Sequence, residues 1–204
     1  MVCLTDIKND LLSMEVEDFY LKHIVKSYNW YFKEYLKVSS DEILDHLDCF
    51  KEIISKNFGI SFHSSQLVGS AKLGYSLSPT KCLKPFDSET SDIDIALISD
   101  KLYLFYWEKL RERKAFRIYN EYFYQRLTTS IFRGYIDEKF LSGIDDIRAI
   151  WQDMKDPTNK SLQDKLSVIH PINYRIYRSW EDLEEYQLSG IIATCKAIKK
   201  LEGV

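Results

Sequence analysis

The run SDIDIALIS at 91–99 constrains this chain more than any other segment. Its acids and aliphatic residues alternate with the two-residue period of a strand. Ile93, Ile95 and Leu97 then share one face, which belongs in a core, while Asp92, Asp94 and Ala96 share the other. Aspartate is disfavoured in strands, so two of them on one face call for a reason. Held about 6–7 Å apart in a partly desolvated cleft, the two carboxylates repel by on the order of 1–3 kcal/mol. A cation between them removes that penalty. Mg²⁺ characteristically takes one or two carboxylates together with substrate phosphates. A solvated edge strand with two unrelated acids would show the same pattern, so the run needs a second element before it points to chemistry.

Gly69-Ser70 is that element. The segment 60–68, ISFHSSQLV, reads as a strand that runs directly into it, and AKLGYSL after it opens a short helix. Glycine lets backbone approach a phosphate closely, and N–H groups at a helix start bind anions. The Ser70 hydroxyl adds a donor and Lys72 adds positive charge. Alone, such a turn is usually only a turn. Followed by paired carboxylates on the next strand, it describes a triphosphate-plus-metal site in two pieces.

The rest of the chain supplies a scaffold. Residues 16–36 carry apolar side chains at three- and four-residue steps, a helical pattern. Ser39 and Ser40 before Asp41 and Glu42 start a second helix, which Gly59 closes. The segment 76–90, with Pro79 and Pro85, reads as a loop. Residues 102–132 are helical in pattern. Gly134, Gly143 and Pro157 predict short helices in the next region. INYRIY at 172–177 alternates as a strand, and 180–201 forms a last helix. The expected fold is α+β: a small mixed central sheet flanked by helices, with an N-terminal helical pair and a helical C-terminal part. The expected division is a helical segment, 1–58, packed on a domain at 59–204 in one compact whole.

These residues resemble the DNA polymerase beta-type nucleotidyltransferase superfamily. LVGS at 67–70 with the downstream SDIDIALIS is similar to its signature, over roughly 60–99. The resemblance implies a nucleotidyltransferase fold. It implies that Gly69 and Ser70, with Lys72 nearby, hold a nucleoside triphosphate, and that Asp92 and Asp94 bind Mg²⁺, with a two-metal site as one form. The implied reaction moves a nucleoside monophosphate to an RNA, tRNA, protein or small-molecule acceptor and releases pyrophosphate. More loosely, GSAKLGYSLSP and IYRSWEDLEEYQ resemble minimal bacterial nucleotidyltransferase-like proteins, some of them in toxin–antitoxin or phage-defence systems.

Two departures follow. The loop between Ser70 and Asp92 is longer than is usual in the superfamily, long enough to close over substrate or bind a partner. The superfamily's third carboxylate, which activates the attacking hydroxyl, has no counterpart on the later strand. If Ile172, Tyr174 and Ile176 face the core, then Asn173, Arg175 and Tyr177 face the site. Glu181, Asp182, Asp145 and Asp146 are the candidates, with Glu181 ahead. Without such an acid the chain would be a degenerate member, a nucleotide- or partner-binding subunit such as an antitoxin or defence component.

Composition sets outer limits. With 45% hydrophobic and 14% aromatic residues among 204, the chain is expected to be folded rather than disordered. A net charge of −3 excludes a uniformly basic nucleic-acid binder. Locally, Lys101, Lys109, Arg111, Arg113, Lys114, Arg117, Arg126 and Arg133, interleaved with Tyr119, Tyr122, Phe123 and Tyr124, offer an RNA-facing surface or a solvated helix over an aromatic core. Arg175 and Arg178 are alternative phosphate contacts, and His63 and His170 read as structural or exposed. Four scattered cysteines without metal spacing predict reduced thiols and no zinc. The absence of a long apolar run or leader predicts a cytoplasmic protein without a membrane partner. A protein partner or a homo-oligomer is compatible with the sequence.

Overall fold

The computed structural model describes residues 3–112 and 121–203. Its architecture is α+β, a small mixed four-stranded sheet flanked by helices. The chain begins with α1 (Leu4–Ser13), α2 (Val16–Tyr20) and two π-helical turns (Leu21–Val25, Tyr31–Tyr35). It continues through α3 (Ile43–Phe58), β1 (Ser65–Val68), α4 (Gly69–Leu73), β2 (Ile93–Ile98) and α5 (Asp100–Glu112). Then follow α6 (Glu121–Phe132), β3 (Tyr135–Asp137), α7 (Glu138–Ser142), α8 (Asp145–Leu166), β4 (Ile172–Tyr177) and α9 (Trp180–Glu202). The strands lie in the order β1-β2-β4-β3. β3 and β4 are antiparallel, pairing Ile136 with Ile176 and Asp137 with Arg175.

The chain forms two compact units that interleave along the sequence: Met1–Leu44, Leu67–Asp94 and Glu184–Val204, then Asp45–Gln66 and Ile95–Leu183. They are drawn by contact rather than by sequence pattern, so they are a different kind of division from a segment 1–58 and a domain 59–204. The first unit packs Ile7 and Leu11 of α1, Phe19, Ile24, Leu73 and Leu83 against Ile191 and Ile198 of α9. The second closes around fully buried Trp151, whose ring lies 5.3 Å from Phe58, 5.7 Å from Tyr106 and 5.9 Å from Tyr174.

Several elements differ from the sequence pattern. Residues 16–36 are not one helix. α2 widens into a π turn in which Lys26 N–H donates to the Leu21 carbonyl (2.9 Å), the chain opens at 26–29, and a second π turn follows. Side chains compete with the helical ladder here: Ser27 Oγ donates to the His23 carbonyl, and Lys72 Nζ takes the Ser27 carbonyl. The strand expected at 60–68 is only Ser65–Val68, because 61–64 turn on a bond from Ser64 N–H to the Ser61 carbonyl (2.9 Å). The region of short helices instead holds β3, α7 and the 22-residue α8, which runs through Pro157. Pro157 is on the exposed face, where water can take up the carbonyl left without its helical donor. α1 adds a helix within 1–58, ahead of the expected pair. The start of α3 does follow the pattern: Ser39 Oγ donates to Glu42 at 2.8 Å, and Glu42 directly precedes Ile43. The four cysteines are free thiols, and no described helix is long and apolar enough to cross a membrane.

Candidate functional site

β1 ends at Val68 in extended backbone, and Gly69 turns the chain at φ +65°. That conformation is open to glycine and costly for other residues. A second constraint acts at the same position: a Cβ built on Gly69 would stand 2.6 Å from Asp94 Oδ2. The turn and the acid strand therefore meet, with the backbone of Gly69 against the carboxylate of Asp94. Gly69 is exposed, and Ser70, Asp92 and Asp94 are half-buried. α4 is a single turn capped by Gly74, whose N–H donates to the Ser70 carbonyl at 2.7 Å. Whatever this turn offers an anion comes from local N–H groups and the Ser70 hydroxyl, because five residues carry little macrodipole.

Ile93, Ile95 and Leu97 are buried as one face of β2, and Asp92 directly precedes the strand. Ala96 is buried too, so the acid face is accessible only toward Asp92 and Asp94. The link between α4 and β2 folds on itself. Tyr75 bridges Pro85, and Phe86 N–H donates to the Gly74 carbonyl at 2.8 Å. Asp87 closes the last turn by accepting from Thr90 Oγ1 (2.8 Å), Thr90 N–H (2.7 Å) and Glu89 N–H (3.0 Å). These bonds, that of Thr90 Oγ1 foremost, hold its carboxyl below the usual range. Leu83 and Phe86 anchor the loop from inside.

Lys72 does not join the exposed side of the turn. It is 5% exposed, its Nζ donates to the Ser27 carbonyl at 2.6 Å, and burial lowers its pKa to about 8.

Three of the four candidates for a third acid, Glu181, Asp182 and Asp145, have local roles. Glu181 is exposed at the start of α9, and hydrogen bonds from its own backbone N–H and the Ser179 side chain hold its carboxyl below the usual range. Asp182 is buried and accepts two bonds from Arg178, at 2.9 and 2.8 Å, and one from Ser179 Oγ at 3.1 Å. Asp145 pairs with Arg148 at 2.5 Å on the exposed first turn of α8, and Asp146 is exposed beside it. Among the described residues no group of three or more His, Cys, Asp or Glu side chains is placed to hold a metal ion. On β4, Ile172, Tyr174 and Ile176 are buried as expected. Arg175 pairs with Asp137 at 3.0 Å, and the other phosphate candidate, Arg178, pairs with Asp182. Tyr177 shares the Arg175 face, yet it is buried beside Tyr135.

Arg113, Lys114, Arg117 and Tyr119 of the basic-aromatic stretch lie outside the described residues. Within them, Arg111 lies over Trp107 (4.7 Å) and Arg126 over Tyr122 (5.4 Å). Each cation lies against one face of its ring, and Tyr122 stays exposed. His63 is exposed beside Phe62, and His170 is buried.

His23 drew no attention in the sequence. It is 3% exposed, and its Nε2 lies 2.7 Å from Asp10 Oδ2, which also accepts from Lys22 at 2.6 Å. The Lys22 bond leads in holding the Asp10 carboxyl below its ordinary range. An acid thirteen residues before a histidine is no recognisable spacing, so only the packing of α1 against the first π turn reveals this cluster. Compared with known protein families, characterised proteins and solved structures, the chain matches none.

Proposed function

We propose that this chain is a Mg²⁺-dependent nucleotidyltransferase whose site is the Gly69-Ser70 turn with Asp92 and Asp94. The observation that carries the reading is the 2.6 Å approach of the Gly69 position to Asp94 Oδ2. It supports a turn whose backbone lies beside the Asp94 carboxylate, with Asp92 just before the same strand, and a side chain at 69 would intrude on that carboxylate. Two carboxylates are a sufficient protein contribution for Mg²⁺ when substrate phosphates complete its shell. Bound there, the ion would neutralise charge on the triphosphate. The Ser70 hydroxyl and the N–H groups of the turn would orient the β- and γ-phosphates, and Asp92 and Asp94 would hold the cation in place. An acceptor oxygen then forms a bond to the α-phosphorus as the bridging bond to the β-phosphate breaks. Pyrophosphate leaves with the electron pair, and the acceptor proton passes to base. Positioning and charge neutralisation supply most of the rate.

A second reading is favoured by the local roles of Glu181, Asp182 and Asp145. In it the protein binds nucleotide or a partner without turnover, as a defence component or antitoxin would. Incubation with α-labelled triphosphates, Mg²⁺ and either total RNA or cell lysate separates the two. Label transfer with equimolar pyrophosphate supports the enzyme. Mg²⁺-dependent binding without transfer supports the second reading, and neither result leaves the site without a role.

A further inference from the structure

The first unit holds an open cleft of about 710 Å³ between α1, both π turns, the link between those turns, and α4. Its volume is in the range of small-molecule sites. Lys72 makes it unusual. A buried ammonium is normally paired with a carboxylate, but among the described residues Lys72 bonds only the Ser27 carbonyl. Of the three acids lining the cleft, Asp10 already serves Lys22 and His23, and Asp6 and Glu34 form no bond to Lys72. Two of the three Lys72 donors are left for the cleft that it lines. Lys26 adds an exposed second cation at the rim. Trp30 supplies a flat wall whose place is fixed: a Cβ on Gly74 would stand 2.7 Å from its Cδ1, and Phe86 packs against it at 5.4 Å.

We propose that this cleft binds a small phosphorylated ligand carrying a flat ring, a mononucleotide being the representative, with its phosphate on Lys72 and its ring along Trp30. Two lysines suit the double charge of a phosphate monoester, and the indole suits a planar ring. Burial of a cation without an anion also explains why Lys72 holds its proton less firmly than an exposed lysine. The proposal uses neither Asp92 nor Asp94 and stands independently of metal binding there.

The test is calorimetric titration of the full chain carrying Asp92→Asn and Asp94→Asn, in EDTA, with AMP, inorganic phosphate and adenosine as separate probes. AMP is expected to bind saturably with Kd below about 1 mM, and tighter than either fragment. Lys72→Met is expected to weaken AMP roughly 30-fold while raising Tm, a combination that a merely structural lysine would not give. Lys26→Gln, at an exposed position where the fold is not at stake, is expected to weaken it a few-fold. AMP binding that is absent, that neither substitution weakens, or that phosphate alone matches would overturn the proposal.

Discussion

Gly69 and Gly134 both take left-handed backbone, φ +65° and +77°, and both back onto an aspartate carboxylate, Asp94 in the first unit and Asp182 in the second. Their surroundings differ. Asp182 is buried, with Arg178 in a two-bond grip and Ser179 completing it, and Arg178 N–H also donates to the Gly134 carbonyl at 3.0 Å. That glycine makes room for a structural lock. Asp94 stays half-buried beside an exposed Gly69, so its glycine keeps a carboxylate accessible. On the proposed reading, the same backbone device serves stability in one place and ligand access in the other. A close glycine–aspartate approach identifies function only together with the exposure of the acid.

The comparison predicts a graded set of outcomes. Asp92→Asn with Asp94→Asn should lower Mg²⁺-dependent transfer by more than about 100-fold with Tm nearly unchanged; retained activity in a label-transfer assay would remove the contrast. Gly134→Ala forces a Cβ into the pinned Asp182 carboxylate at positive φ. It should cost about 2–4 kcal/mol in urea unfolding, while Gly69→Ala should lose more activity than stability. If the two alanines have matching profiles, the distinction fails. Lys72→Met should stabilise the protein by up to about 3 kcal/mol at neutral pH. Between its folded pKa of about 8 and the ordinary 10.5, the unfolded chain holds the proton that the folded one has released. Wild-type stability should therefore gain from this group as pH rises through that window, and the variant should lose that gain. Arg178→Lys should have the smallest effect, roughly 0.5 kcal/mol by thermal melts, because the arginine is more than half exposed and screened.

Local patterns were legible where one side chain decides one element. The alternation of β2 and β4, the Ser39–Glu42 start of α3 and the span of α9 could all be read from residues a few positions apart. The glycine at 69 could be read as a turn, but its approach to Asp94 could not, because 24 intervening residues must fold back first. Pro157 misled for the opposite reason. Its effect on a helix depends on which face is solvated, and the sequence around it does not declare that face. Lys72 carries charge near the turn in the sequence, but its amine bonds the carbonyl of Ser27, a residue 45 positions away with no signal of its own.

The paired π turns have a consequence for how the lysine-lined wall could arise or be lost. Each contains one residue more than an α turn requires, so removing a single residue from 21–25 would let the coil tighten to its common pitch. The flanking segments would keep their facing, and the residues inside the turn would shift by one position. Lys22 and His23, which lie inside that turn, would shift off Asp10. A one-codon deletion is thus a larger event for this protein than most substitutions on the same surface.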